Sequence, residues 1–131
     1  MHYVGILDGN GDVWGVRIPD LPGVHGGGGS PEEAIADATS AAREWVSHAY
    51  SKGAAIPAAR KLGDVITSGE VEIGEATVMV PVILDAGRTV KANVTFDAGL
   101  LEAIDEEARQ RGVTRAAFLA SAARDKIIAR R

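Results

Sequence analysis

The sequence predicts an α+β protein made of two small units, β-β-β-α-β followed by β-α-α. Three observations carry this reading. Short β-branched runs separated by glycine-rich reversals fill the first 29 residues. Later segments place apolar residues at spacings of three and four, and the charge divides near Gly87. Residues Met1 to Gly87 hold 5 Lys/Arg against 12 Asp/Glu, a net −7, whereas Arg88 to Arg131 hold 9 against 6, a net +3. An acidic unit suits a basic partner, and a basic unit suits a polyanion.

Composition narrows the classes further. At 131 residues, 46% hydrophobic and 24% charged, the chain falls in the range of ordinary globular domains. It has no cysteine, which excludes disulfides, thiolate metal sites and a cysteine nucleophile. No apolar run approaches the roughly 20 residues of a membrane span, and Met1-His2-Tyr3-Val4 does not open like a signal peptide. A cytoplasmic protein without a membrane partner is expected.

His2 to Leu7 and Val13 to Ile18 read as two strands joined at Asp8-Gly9-Asn10-Gly11-Asp12, where Asn-Gly tolerates the positive φ of a tight reversal. The D-x-N-x-D pattern is not an EF-hand loop, because Val13 and Pro19 stand where glycine and glutamate are required. Pro19-Asp20-Leu21-Pro22-Gly23 ends the second strand, since proline donates nothing to a ladder. Val24 and His25 open a third strand that stops at Gly26-Gly27-Gly28-Gly29. That run lacks the lysine of a phosphate-binding loop and reads as a flexible connector.

Ser30, Pro31 and Glu33 announce a helix, with the Glu33 carboxylate placed to reach back to the Ser30 N–H. Ile35, Ala38, Ala42, Trp45 and Ala49 form its apolar stripe, with Trp45 as a core anchor, and Gly53 ends it. A polar stretch follows from Ala58 to Gly74, with one helical turn near Arg60. Thr77 to Leu84 is a further strand, and Pro81 places it at an edge, bulge or break. Asp8, Asp12, Asp20 and Asp37 are the carboxylates available to a metal, and turns and helix surfaces account for each. His2, His25 and His48 stand apart from any serine motif or metal-ligand spacing. No catalytic residue, metal or cofactor is expected.

In the second unit, Val90, Ala92, Val94 and Phe96 alternate with Lys91, Asn93 and Thr95 as in a strand. Asp97 caps a helix whose inner face carries Leu100, Leu101, Ile104 and Ala108, and Gly112 closes it with Val113 tucked beneath the turn. Thr114 caps a second helix, with Leu119, Ala123 and Ile127 recurring every four residues, flanked by Phe118 and Ala122. One strand and two helices are too few to bury this apolar face, and a lone strand leaves its edge unpaired. Pairing the strand with its copy in a homodimer, or in a higher oligomer built on it, resolves both. The resulting ribbon fits the major groove of B-DNA and offers Lys91, Asn93 and Thr95 to base edges. Thr114 and Arg115, at the start of the second helix, suit a phosphate.

Residues Lys91 to Ile127 resemble a ribbon-helix-helix repressor domain, including the strand, the Gly112-Val113-Thr114-Arg115 turn and the helix spacing. The first half resembles the HicB antitoxins in Tyr3 to Leu7, the Asp-Gly turn, Ile18-Pro19-Asp20-Leu21-Pro22-Gly23, Ser30-Pro31-Glu32-Glu33-Ala34 and Ile56-Pro57. The resemblance implies a partial RNase H-like domain over 1–84 that binds a small basic, RNA-cleaving HicA-type toxin without being a nuclease. A linker over 85–89 and a ribbon-helix-helix domain over 90–131 follow, the latter dimerising and repressing the shared operon at operator DNA. Lys91, Asn93 and Thr95 would be the base contacts, with Thr114 and Arg115 at the backbone clamp; the resemblance assigns no toxin-binding residue. The four glycines depart from the family's more polar loop before the helix. Two rival readings are a free-standing transcriptional regulator with a ligand-sensing first domain and a metal-dependent RNase H-like nuclease.

Overall fold

Strand β1 (His2–Asn10) is the axis of the first unit. It is flanked by β2 (Val13–Arg17) and β4 (Ala76–Pro81), and β3 (His25–Gly28) lies outside β2, all neighbours antiparallel. The computed structural model describes residues 1–84 and 89–129, and the chain divides into units Met1–Gly87 and Arg88–Arg131. The linker expected over 85–89 falls, at 85–88, outside the described residues.

Helix α1 (Pro31–Ser51) covers one face of the sheet. The pairing Leu7↔Val16, Gly5↔Val78 and Tyr3↔Val80 places these side chains together on that face. Tyr3, Val16 and Val80 join Ala34, Ala38, Ala42 and Val46 of α1 in one core. The buried stripe of α1 is therefore Ala34, Ala38, Ala42, Val46 and Ala49; Ile35 and Trp45, expected at its centre, are half-buried at its margin. Small side chains let the helix lie close to the sheet.

How close is set by the glycine run, which is a strand and not the expected connector. Gly26 and Gly28 face α1. A Cβ on Gly26 would sit 2.2 Å from the Ala38 nitrogen and 2.6 Å from its Cα, and one on Gly28 would sit 2.5 Å from the Glu33 Cβ. Any side chain here would push the helix away. The edge is also tied to the helix, since the Gly27 N–H donates to the Asp37 carboxylate at 2.9 Å and the Gly29 N–H to Glu33 at 2.8 Å. Ser30 caps α1 as expected, accepting from the Glu33 N–H at 3.2 Å, but the Glu33 carboxylate reaches Gly29 instead of the Ser30 N–H. Gly53, at φ +67°, follows the C-terminal cap.

Val4 and Ile6 point to the other face and are buried there too. The chain returning from α1 to β4 crosses that side, carrying a short helix α2 (Leu62–Thr67) with fully buried Val65. The helical turn expected near Arg60 thus begins two residues later. The return is anchored at Tyr3, whose hydroxyl donates to the Pro57 carbonyl at 2.6 Å. An ionic chain adds further ties. Arg60 donates to Asp20 (2.6 Å) and Glu70 (2.7 Å), and Arg17 grips Glu75 with two bonds (2.5 and 2.8 Å) while reaching the Glu70 carbonyl. The order is β-β-β-α-α-β, one helix more than expected.

The second unit holds α3 (Ala98–Gln110) and α4 (Arg115–Ile128). Asp97 and Thr114 cap them as read, accepting from the Leu100 and Ala117 N–H groups at 3.2 and 3.1 Å, and Gly112 takes φ +68°. Burial is sparse. Ile104 and Ala108 of α3 are buried, Leu101 is half-buried, and Leu100, expected on the inner face, is 51% exposed. No residue of α4 is buried; Phe118 and Leu119 are half-buried, while Ala122, Ala123 and Ile127 are exposed. Val113 is also exposed, although its N–H bonds back to Ala108. Val90 to Phe96, expected as a strand, has no ladder partner among the described residues and takes no regular secondary structure.

Candidate interaction surfaces

The groups proposed from sequence for nucleic acid lie in two places in the second unit. Lys91, Asn93 and Thr95 are all exposed, and so are their apolar alternates Val90 and Val94, at 76% and 69%. Only Phe96 is half-buried. Apart from Phe96, both sides of this segment are exposed among the described residues.

Thr114 and Arg115 lie together at the start of α4. The Thr114 hydroxyl is committed to the cap. The Arg115 guanidinium forms a two-pronged pair with Asp105 of α3, both bonds 2.7 Å, which lowers the Asp105 carboxyl below its ordinary range and raises Arg115. The pair is exposed at both ends, so water screens it strongly and it holds the two helices together only weakly. Asp105 escaped the sequence reading because its helical spacing marks only an ordinary polar face. Arg111 lies over the Phe118 ring at 5.8 Å, a second tie between these helices that spacing does not announce.

In the first unit the four carboxylates considered for a metal are dispersed. Asp20 holds Arg60, Asp37 holds the Gly27 N–H, Asp8 lies on β1 and Asp12 at the hairpin turn. No group of three or more ligating side chains assembles among the described residues. The His25 ring lies 3.1 Å from the Gly23 carbonyl. The Pro-Asp-Leu-Pro-Gly segment gains a structural role, as Asp20 receives both the Arg60 backbone N–H (2.9 Å) and its side chain. Glu75 is held down at about 2, first by the Arg17 hydrogen bond and then by the Glu72 N–H. Among the described residues, no helix is long and apolar enough to cross a membrane.

This architecture defines a class of two-unit α+β protein that presents surfaces, acidic in the first unit and apolar in the second. Residues 3–123 match the family model described as HicB-like antitoxin of bacterial toxin-antitoxin system, and the chain belongs to that family. It is similar to the crystal structure of the Burkholderia pseudomallei antitoxin HicB (28% identity, TM-score 0.59, covering 94% of this chain and 96% of that one). The separately crystallised N-terminal domain of that antitoxin matches at 26% identity and TM-score 0.57, covering 64% of this chain and all of that one. A HicA3 and HicB3 toxin-antitoxin complex matches at 16% identity and TM-score 0.51, covering 63% of this chain and 99% of the matched one, a likeness of fold alone. No curated protein matches significantly.

Proposed function

We propose that this antitoxin binds and neutralises a small basic, RNA-cleaving HicA-type toxin through a partial RNase H-like unit over residues 1–84, without itself being an enzyme. We further propose that residues 90–131 form a ribbon-helix-helix homodimer that represses its own operon in the cytoplasm. Lys91, Asn93 and Thr95 read base edges, and Thr114 and Arg115 clamp the DNA backbone. The observation that carries the reading is the family match over residues 3–123, joined to likeness along nearly the full length of a HicB antitoxin.

Physical features of the chain support each part. The first unit is strongly acidic, at −7. In the second, Leu100, Ile127 and Ile128 remain 45–54% exposed. Fully burying such a side chain contributes about 1.5–3 kcal/mol, so a partner covering several of them is strongly favoured. Pairing Val90 to Phe96 with its copy covers Val90 and Val94 and leaves Lys91, Asn93 and Thr95 outward.

The test is to express the small reading frame beside this gene, alone and with the full chain, while following growth and mRNA integrity. Arrest with mRNA loss, relieved by co-expression, is the expected result. A harmless neighbour overturns the antitoxin mechanism. Mobility shift on the upstream DNA tests repression, and equal binding to unrelated DNA overturns operator recognition.

A further inference from the structure

The two faces of the sheet are finished differently. One is sealed by α1. On the other, the return segment crosses over buried Val4 and Ile6, but the β2–β3 side is bare. There Gly15 lies opposite Gly27 in the register, with Asp8 paired to Gly15 and Val13 two residues before it on the same face of β2. A Cβ added to Gly15 meets nothing closer than 3.6 Å, and one added to Gly27 nothing closer than 3.4 Å. Packing within the unit therefore does not require glycine at either position, in contrast to Gly26 and Gly28. Beside this bare backbone Val13 is 72% exposed.

The charge around the patch is predominantly negative. Among the described residues of β1–β3 on this face, Arg17 is the permanent cation, opposite His25, and its guanidinium is already spent on Glu75 and the Glu70 carbonyl. Its field also includes Asp8 and Glu72. Asp8, Glu72 and Glu75 thus stand against one arginine. Asp8 is exposed, and its carboxylate has no hydrogen bond or ion pair among the described residues. A flat, open backbone with one apolar side chain and surplus carboxylate suits a cationic protein segment that lies across the strands.

We infer that the bare β2–β3 face, over Gly15 and Gly27 between Asp8 and Val13, is where the basic toxin docks. The inference rests on the antitoxin mechanism proposed above and specifies its surface. A lysine or arginine of the toxin pairs with Asp8, an apolar side chain packs on Val13, and the glycines admit the toxin's backbone to close range.

The experiment measures the dissociation constant of the full chain for the purified protein encoded beside this gene, using Asp8→Lys, Gly15→Gln and Glu44→Lys. Glu44 is exposed on α1, on the sealed side, and its reversal changes the net charge by the same amount as that of Asp8. Asp8→Lys and Gly15→Gln are expected to weaken binding more than about tenfold, and Glu44→Lys less than about twofold. Thermal unfolding of each variant checks the fold, with Gly15→Ser replacing Gly15→Gln if the latter unfolds. Equal loss for Asp8→Lys and Glu44→Lys overturns the site in favour of net charge alone. Wild-type affinity in both β2–β3-face variants places docking elsewhere while leaving the antitoxin mechanism intact. If these two variants instead lower the mass of the toxin-free assembly, the face joins copies of this chain and the inference fails. A wild-type chain that neither binds nor rescues removes both proposals together.

Discussion

Replacing Gly26 with alanine adds a single carbon at the tightest point of the first unit. The added atom lies 2.2 Å from the Ala38 nitrogen, 2.6 Å from its Cα and 2.8 Å from the Asp37 carbonyl carbon. All three are backbone, so no rotamer change relieves the clash, and α1 must move by about 1 Å or more to restore ordinary contact distance. Overpacking of this kind costs about 1–3 kcal/mol. The same displacement stretches the Gly27–Asp37 bond, now 2.9 Å, whose charged acceptor makes it worth about 1.5–3 kcal/mol. A total near 3 kcal/mol corresponds to a fall in Tm of roughly 12–24 °C for a unit of this size. Gly27→Ala is the internal control, with 3.4 Å of clearance, and stays within about 0.5 kcal/mol of wild type. Both tryptophans, Trp14 and Trp45, lie in the first unit, so their fluorescence during thermal unfolding of the full chain reports this unit alone. Equal shifts at positions 26 and 27 would refute the close-approach argument and return the glycine run to a plain connector.

Four further outcomes are expected. Tyr3→Phe leaves the Pro57 carbonyl without its 2.6 Å donor and lowers stability by about 1–2 kcal/mol in urea unfolding; an unchanged midpoint removes the anchor role. Glu75 has a folded-state value depressed from 4.5 to about 2, so its contribution is present above pH 4.5 and lost as pH falls through 2. Carboxyl NMR titration should find that low midpoint, and Arg17→Gln should return it towards 4.5; a wild-type midpoint near 4.5 contradicts the pair. Asn93→Ala is expected to cost about 1–3 kcal/mol of operator affinity, and unchanged binding sinks its base contact. Arg115→Ala should weaken binding to all DNA and reduce the salt slope by about 1 per lost phosphate contact; loss confined to one base position contradicts a backbone role.

What was legible in the sequence is mostly local chemistry. Ser30, Asp97 and Thr114 announce helix starts through the oxygen each offers to an N–H two or three residues on. Gly53 and Gly112 announce ends through a backbone conformation that other residues resist. The third strand was misread at the glycines because glycine disfavours strands in isolation. What makes glycine necessary there is Ala38, twelve residues beyond Gly26. The stripe of α1 was misphased towards Ile35 and Trp45 because size was weighted over closeness, whereas the sheet selects alanines. The Arg17–Glu75 and Arg115–Asp105 pairs join residues 58 and 10 positions apart, beyond any spacing rule. At Val90 to Phe96 the alternation is plain in the sequence, but a ladder needs a second strand, and the chain by itself supplies none among the described residues.

The bonds from Asp37 and Glu33 to the rim of β3 also govern what the molecule avoids. Gly27 and Gly29 would otherwise offer outward N–H groups to any passing extended chain, and glycine would present no side chain to repel it. The helix fills these valences from within. At the opposite rim Pro81 carries no N–H, which shortens the template that β4 could extend. A protein whose proposed assembly depends on joining strands from two chains thus has its finished sheet insulated at one border and curtailed at the other. Such insulation leaves the finished sheet with few outward N–H groups for pairing with another chain.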